Sequence, residues 1–515
     1  MYQSILTKRY LTSKVMPLLS AGAVMLCAAM VLIVWSVMGG FLTRLLDSGR
    51  TLMGDVEINW PSSGFAYYEE LIADLKKDPR IEAATPMVET LGLISLPDDR
   101  IEPIQIRAID PATYASVVSL KEMLWWKPLT EPLRKDTTRG DDRLNERYAE
   151  RMQQAFEQGL AMSKPDPVTG QPLPAAILGI EMSGFSKRDS SGIYKRRGLL
   201  RPRGDGGTDD KFLWMPNEQV TIRVLPLDEG GREIALVPKT LPVANEFRSG
   251  IFDIDKRTIF IPLSVGQEIM KMRSADALDA SFNPYDFAGG DTQAVNPAAI
   301  GKTPARVNTV LVKGKDGVTS NEVREICLGV YARFADRYRG KVPSMFDMDR
   351  QIKTWEMRQA QFIGAVKKET ALVLTLLTFI SFTASFMILA IFWAMIAEKT
   401  KDIGVLRALG ASQPGIAWIW IRYGMAIGLV GSLAGVGLAY LIVTNINPIH
   451  EAMGTLLGIQ IWDASVYYFA EIPNKVDPVR AMVVFVGGLV LSLIGAVVPA
   501  IRAALLDPVK ALRFE

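Results

Sequence analysis

Histidine and cysteine are scarce in this 515-residue chain, which holds one histidine and two cysteines. The single histidine, His450, has no second imidazole with which to share a zinc ion, and a serine nucleophile would have no choice of base. Cys27 lies in an apolar run and Cys327 in a distant polar region, so a disulfide framework is not expected. We therefore expect no metal or cofactor in this chain, and a protein that is not itself an enzyme.

A phosphate-binding loop and a basic stripe are also missing. Residues 301–303 read GKT, but Asn296 stands where the first glycine of such a loop is required. The formal net charge of +3 is too small for a field that attracts nucleic acid. Neighbouring carboxylates such as Asp98 and Asp99 lack the spacing of an acid–base pair. Any energy for function must come from a partner.

Charge is absent from four long runs, although 22% of the residues are charged overall. Each run is long enough to cross a hydrocarbon core, which needs roughly 20 helical residues. The uncharged runs are residues 15–43, 370–397, 423–449 and 481–501. We predict transmembrane helices, arranged one plus three, at residues 16–43, 369–397, 413–449 and 481–501. A secretory signal peptide is the alternative for the first run, but its apolar part is longer than such peptides have.

The distribution of Lys and Arg predicts the orientation of these helices. The N-terminal segment 1–15 and the tail 502–515 are basic, as is the turn after the second span, so all three are expected in the cytoplasm. The loop 450–480 is mainly acidic and is expected outside. Residues 44–368 then also lie outside, and they are numerous enough to form a core of their own. We predict a multi-pass membrane protein with both termini in the cytoplasm.

The outer region alternates short strand and helix patterns. Val220, Ile222 and Val224 have the period of a half-buried strand, whereas other segments have helical spacing, as at Val323, Ile326, Val330 and Phe334. We predict an α+β domain of two lobes. Residues 125–216 are rich in Arg, Asp, Gly and Pro and are interpreted as a charged insertion, with a helix at 144–162 and a disordered loop at 196–211.

Residues 398–412, EKTKDIGVLRALGAS, predict a short amphipathic helix at the cytoplasmic surface. Ile403, Leu406 and Leu409 fall on one stripe, and Gly410 is placed to end the helix. The charged residues Lys399, Asp402 and Arg407 face elsewhere. A merely solvated interfacial helix is the alternative interpretation.

This segment resembles the signature of ABC permeases of the FtsX and MacB class, in which the helix couples to an ATPase subunit. Residues 499–515 are similar to the ending of that family. Stretches at 35–41, 247–267, 354–369 and 466–473 resemble the lipoprotein-releasing permeases of the LolC and LolE type. The resemblance implies that the following residues contact the ATPase: Glu398, Lys399, Lys401, Asp402, Ile403, Leu406, Arg407, Leu409 and Gly410.

The resemblance further implies a function for the chain. It would be a permease subunit that extracts lipoproteins from the outer leaflet of the inner membrane, with a MacB-like periplasmic domain at residues 44–368. ATP and Mg would be bound by the partner ATPase, and a second permease copy or a paralogue, a periplasmic carrier and membrane lipid would be further partners. Two alternatives stay open: a MacB-like exporter of peptides or small molecules, and an FtsX-like scaffold that regulates a cell-wall hydrolase.

Two residue sets within the spans are candidates for function. A lipid-tailed cargo needs an apolar cleft open to the bilayer, and we expect its walls at the ends of the first two spans, from Met38, Phe41, Leu42 and Phe362. Glycines recur in the third predicted span at short intervals that let helix backbones approach closely. These predicted packing positions are Gly424, Gly428, Gly431 and Gly435.

Overall fold

The computed structural model describes residues 15–61, 63–128, 142–188, 194–196, 198–202, 208–212, 218–224, 237–278, 299–457 and 472–507. The chain forms two compact units. The sheet unit runs from Leu46 to Ala360, and the helical unit holds the described residues on either side of it.

Helices occur in both units and are numbered here in chain order. They are α1 (Val15–Met53), α2 (Tyr68–Leu75), α3 (Pro111–Val117), α4 (Leu120–Met123), α5 (Asp142–Ala161), α6 (Ile180–Ser183), α7 (Phe252–Arg257), α8 (Leu263–Ile269), α9 (Ser320–Arg337), α10 (Met345–Met348), α11 (Trp355–Arg358), α12 (Ala360–Glu398), α13 (Thr400–Ala408), α14 (Gln413–Thr444), α15 (Ile446–Leu457) and α16 (Pro478–Ala504).

The strands all belong to the sheet unit. They are β1 (Val56–Asn59), β2 (Phe65–Ala66), β3 (Ile81–Ser95), β4 (Ile101–Ile109), β5 (Ser163–Pro165), β6 (Pro172–Pro174), β7 (Ala176–Gly179), β8 (Ser186–Arg188), β9 (Tyr194–Arg196), β10 (Gly198–Pro202), β11 (Thr208–Phe212), β12 (Gln219–Val224), β13 (Val237–Phe247), β14 (Thr258–Pro262), β15 (Ala275–Leu278), β16 (Ala299–Thr303), β17 (Arg306–Val307), β18 (Thr309–Gly314) and β19 (Ile352–Thr354).

Four helices are long and apolar enough to cross a membrane, as the uncharged runs predict. Their candidate spans are Pro17–Arg44, Ile363–Glu398, Gln413–Thr444 and Pro478–Ala504. Helix α1 continues past the predicted end of its span and stops before Gly54, whose φ of +69° is outside the helical region. The predicted loop 450–480 is partly helical. Its first residues, including His450, belong to α15, which follows α14.

Nine strands form the main sheet of the sheet unit, in the order β12-β13-β7-β14-β4-β3-β18-β1-β19. Strand β12 also pairs with the far end of β3, so that β3, β4, β14, β7, β13 and β12 close into a ring. Strands β18, β1 and β19 extend from the first half of β3 as an open sheet. A mixed α and β architecture is therefore present, but the predicted division into two lobes is not confirmed.

Apolar alternation places the strands of the ring. In β12, Val220, Ile222 and Val224 are buried and their neighbours are not, as the period of two predicts. Buried apolar residues from all six strands join one core: Ile94, Ile104, Ile106, Ala176, Leu178, Val220, Ile222, Val224, Leu241, Val243, Ile259 and Ile261. Helix α9 buries Val323, Ile326, Val330 and Phe334 on the same core.

The segment 125–216 is not an insertion throughout, which corrects its interpretation from composition. Strand β7 lies inside it, is fully buried, and pairs with β13 on one side and β14 on the other. Its apolar residues Ala176, Ile177 and Leu178 stand between Pro- and Gly-rich stretches, so the composition of the segment does not indicate their contribution to the core. Strands β10 and β11 form a hairpin within the loop that was expected to be disordered.

Candidate functional site

Helix α13 follows α12 after one residue and ends in a Schellman motif. The amide of Gly410 donates to the carbonyl of Arg407 at 3.1 Å, and the amide of Ala411 donates to that of Leu406 at 3.0 Å. Gly410 has a φ of +95°, which a residue with a side chain adopts only with strain. The helix therefore stops at this glycine, and Ser412 begins α14 by accepting a hydrogen bond from the amide of Gly415.

The apolar side chains of α13 do not share one face, contrary to the predicted stripe. Ile403 is buried and Leu406 is half-buried, whereas Leu409 is 81% exposed. The helix ends at Ala408, so Leu409 occupies the cap position and leaves the stripe. Together with Val405, which is 46% exposed, it presents apolar surface on the outside of this helix.

The charged residues of this segment have separate roles. Lys399 forms an ion pair with Asp402 at 2.9 Å, one turn along the chain, and Lys401 is exposed. Arg407 is half-buried, and its Nη1 donates to the carbonyl oxygen of Ala504 at 3.3 Å. That carbonyl belongs to the last turn of α16, where helix carbonyls lack partners within the helix. Arg407 therefore joins α13 to the end of α16. Glu398 is the last residue of α12.

The first two predicted packing glycines face α16. A Cβ atom on Gly424 would lie 2.5 Å from the Cβ of Ala496, and one on Gly428 would lie 2.9 Å from that of Ser492. The Oγ of Ser492 also donates to the carbonyl oxygen of Gly424 at 2.9 Å. Helices α14 and α16 thus meet backbone to backbone at these positions.

The other two packing glycines face α1. A Cβ atom on Gly431 would lie 2.8 Å from the carbonyl oxygen of Ala21, and one on Gly435 would lie 2.6 Å from that of Met25. Close packing without side chains is how helices associate within a bilayer. Helix α14 therefore holds both α1 and α16 through glycines.

An apolar groove of about 470 Å³ lies between α1 and α12. Its walls are Ala23, Leu26, Cys27, Met30, Val31, Leu377, Ile380, Thr383, Ala384 and Met387. A second cavity of about 170 Å³ adjoins it and is closed by residues of α16, including Gly487 and Gly488. The two cavities share Cys27, Val31 and Ala384.

The predicted cleft residues lie elsewhere on the same helices. Neither cavity includes Met38, Phe41 or Leu42. Phe41 is buried, and Met38 and Leu42 are half-buried, beyond the groove along α1. Phe362 belongs to α12, but its side chain is outside the described residues.

Arg480 makes a contact that sequence reasoning missed. Its Nη1 donates to the carbonyl oxygen of Trp35 in α1 at 2.9 Å, and its Nε is 3.3 Å from Asp477. The guanidinium lies where a side chain on Gly39 would be, which explains a glycine at that position. The available signal was an arginine in the first turn of an apolar helix together with the Gly39–Gly40 pair. Within the described parts of the chain, no three His, Cys, Asp or Glu side chains gather as metal ligands.

Part of the chain is similar in sequence to known proteins. Residues 374–508 match the family described as FtsX-like permease C-terminal, a range that holds most of α12 and all of α13, α14 and α16. The chain is 29% identical over 164 residues to the lipoprotein-releasing system transmembrane protein LolC of Neisseria meningitidis, which is 32% of this chain and 40% of the relative.

Other relatives match over similar or longer stretches. The lipoprotein-releasing system transmembrane protein LolE of Haemophilus influenzae is 30% identical over 129 residues, 25% of this chain and 31% of the relative. The probable syringafactin export ATP-binding/permease protein SyfD of Pseudomonas syringae pv. tomato is 25% identical over 232 residues, 44% of this chain and 29% of the relative. The match to the Neisseria LolC spans 40% of that protein's length. Residues 374–508 therefore form a permease domain similar to that of the ABC permease class that includes the FtsX, LolC and LolE proteins.

Proposed function

We propose that this chain is the membrane subunit of a transporter that extracts lipoproteins from the outer leaflet of the inner membrane. A partner ATPase, which binds ATP and Mg, supplies the energy, and a periplasmic carrier receives the lipoprotein. The names of the LolC and LolE relatives support this cargo. On this proposal both termini and α13 face the cytoplasm, the sheet unit lies in the periplasm, and a second permease copy or a paralogue completes the assembly.

The observation that carries the proposal is the apolar groove between α1 and α12. Among the described lining residues, Cys27 and Thr383 are the only ones whose side chain can donate a hydrogen bond, and none carries a charge. A hydrophilic solute would lose its hydration in such a groove without gaining partners. An acyl chain has no hydrogen bonds to lose on entering the groove, because it leaves only water or other lipid tails. The groove therefore suits a lipid-modified cargo.

Energy must enter such a transporter through a surface that the ATPase can hold. The exposed side chains of Val405 and Leu409 provide apolar area beside Arg407, which is fixed to the end of α16. Burial of apolar surface contributes about 25 cal/mol per Å². A push on α13 would reach α12 through the single residue between them and α16 through Arg407.

Replacement of Leu409 by glutamate tests this surface. We expect L409E to weaken association with the ATPase by about tenfold or more, equivalent to about 1.4 kcal/mol. The reason is that a charge would replace an apolar side chain that becomes buried when the ATPase binds. The side chain is exposed in the chain alone, so the fold of the permease should not change. Affinity is measured by titrating labelled ATPase onto the purified permease in nanodiscs.

The matched control is L409M, which keeps an apolar side chain of similar volume and should bind like the wild type. Thermal unfolding of both variants should coincide with that of the parent. Equal binding by L409E and L409M would contradict the proposed role of α13 in coupling to the ATPase.

Cys27 offers a probe of the groove. Cys327 is fully buried in the core of the sheet unit, so Cys27 should be the thiol that a small apolar maleimide reaches in the folded protein. A saturating triacylated lipopeptide should slow this labelling by about fivefold or more, because it covers the lining of the groove. The same peptide without acyl chains is the control ligand, and C27S should show no labelling. Protection by neither peptide would argue against lipid binding in this groove.

A further inference from the structure

The chain leaves α1 and enters α12 through two neighbouring strands of the sheet unit. Strand β1 follows α1 after Gly54 and Asp55, and β19 precedes α12 with only the short helix α11 between them. The two strands pair antiparallel, with Val56 opposite Thr354 and Ile58 opposite Ile352. The exit from the first span and the entrance to the second are therefore joined by one ladder of hydrogen bonds.

Arg358 binds two carboxylates beside this ladder. It is the last residue of α11, and its Nη1 donates to Glu57 on β1 while its Nη2 donates to Glu89 on β3 at 2.9 Å. The glutamate side chains are only 6% and 8% exposed, and that of Arg358 is 30% exposed. One guanidinium thus connects the segment just before α12 to two different strands.

A second arginine balances the charges. The Nε of Arg107 on β4 lies 3.3 Å from Glu89, and the side-chain amide of Asn59 donates to Glu57 at 2.8 Å. Burial alone would raise the pKa of Glu89, but the charges of Arg107 and Arg358 hold it below its usual range. Two carboxylates and two guanidiniums form a neutral cluster, which we call the charge clamp: Glu57, Glu89, Arg107 and Arg358.

The charge clamp joins the open part of the sheet to the closed ring, because Glu57 lies on β1 whereas Glu89 and Arg107 lie on β3 and β4. Strands β1 and β19 are not members of the closed ring, whose core is apolar. Removal of Arg358 leaves the buried carboxylate of Glu57 with the side-chain amide of Asn59 as its hydrogen-bond donor but with no balancing positive charge from Arg358, and an uncompensated buried charge is strongly unfavourable. The sheet can relieve this cost locally by releasing α11 and β19, because β19 pairs only with β1 among the described strands.

We propose that Arg358 is a positioning residue that fixes the entrance of α12 to β1 and β3, so that a displacement of α12 reaches both strands as one rigid joint. The link from this joint to cargo release rests on the proposed function, since the ATPase supplies the displacement. The joint itself is a property of this chain alone, and it can be tested without the ATPase.

Hydrogen–deuterium exchange of the full chain in nanodiscs tests the joint. We expect R358Q to speed exchange of β19 and of α11 by about tenfold or more, with β4 and β14 unchanged, because only the open part of the sheet loosens. The matched control is K313Q, which breaks the exposed ion pair of Lys313 with Glu82 on the same sheet and should alter nothing. R358K keeps the charge and should restore part of the protection.

Two exchange results would overturn the proposal. Faster exchange spread evenly over the ring strands would mean that Arg358 only stabilises the domain, and unchanged exchange at β19 would mean that the charge clamp holds nothing.

A transport assay separates this proposal from the proposed function. In the assembled transporter, R358Q should keep ATP turnover within about twofold of the wild type and lose about fivefold or more of lipoprotein release per ATP. An equal fall in turnover and release would overturn the positioning role. Should the wild type release no lipoprotein, the proposed function fails, while the exchange result still decides the joint.

Discussion

Replacement of Gly435 by valine should separate α14 from α1 and cost about 3 kcal/mol or more of the free energy of unfolding. A Cβ atom there would lie 2.6 Å from the carbonyl oxygen of Met25 and 2.8 Å from the Cβ of Ala28. The first of these is a backbone atom, which can move only if the whole helix moves. The loss is measured by denaturing the purified protein from micelles with increasing detergent or heat.

Gly437 supplies the matched control two residues along the same helix. A Cβ atom at that position meets nothing within 4 Å. The variant G437V therefore carries the same change in helix propensity and the same added volume without the clash, and it should unfold with the wild type. Equal destabilisation of G435V and G437V would show that the glycines matter for backbone flexibility and not for contact with α1.

Replacement of Glu246 by alanine should have a comparable effect on the sheet unit. This glutamate of β13 is fully buried and accepts hydrogen bonds from the Oγ of Ser183, the Oγ of Ser186 and the Nε1 of Trp126, the last two at 2.9 and 2.8 Å. Alanine would remove the acceptor that these three buried donors share, at about 1–3 kcal/mol for each hydrogen bond lost. We expect E246A to lose about 3 kcal/mol or more in chemical denaturation of the sheet unit.

The same glutamate predicts how stability depends on pH. Burial raises the pKa of Glu246 from 4.5 to about 7, so folding favours the protonated form. Its contribution to stability is complete below the unfolded pKa of 4.5 and is lost as the pH rises through about 7. Burial likewise raises the pKa of Asp255 to about 7. Carboxylates with lowered pKa, such as Glu89, are ionised in both states across this window and add no slope.

Denaturation between about pH 5 and pH 7.5 measures this dependence. Stability should fall with rising pH by up to about 1.4 kcal/mol per unit for each of the two groups. E246Q keeps the shape of the side chain and should remove about half of the slope, and the double variant E246Q/D255N should remove most of it. Stability that rises with pH over this interval would contradict the assignment.

The spans and α13 were predictable because their signal is local. A transmembrane helix is indicated by an uncharged run, and a short helix by an amphipathic turn followed by glycine, and both patterns consist of consecutive residues. Strand β7 was missed because the apolar residues between Pro174 and Gly179 are too few and too uniform to show the alternation that identifies a strand. Its burial depends on β13 and β14, and those partners follow much later in the chain.

Contacts between distant residues were out of reach for the same reason. Arg358 and Glu57 are 301 positions apart, and nothing in either neighbourhood indicates the other. Leu409 was placed on the apolar stripe because the helix was assumed to continue through it. The helix ends one residue earlier, so Leu409 takes the cap position instead. The resemblance assigns Arg407 to the ATPase surface, but nothing in the sequence indicates its hydrogen bond to the carbonyl of Ala504.

The pairing of β1 with β19 has a mechanical consequence. Val56 and Thr354, opposite each other, are the paired residues nearest along the chain to α1 and α12 respectively. If the two helices moved apart sideways, the force would act first on this pair. The hydrogen bonds between β1 and β19 would then break one after another. A force along the strands would instead act on all of these hydrogen bonds at once, together with those between β1 and β18. The pairing of β19 with β1 is thus stiff against a force along the strands and compliant against a force that parts the strands from one end.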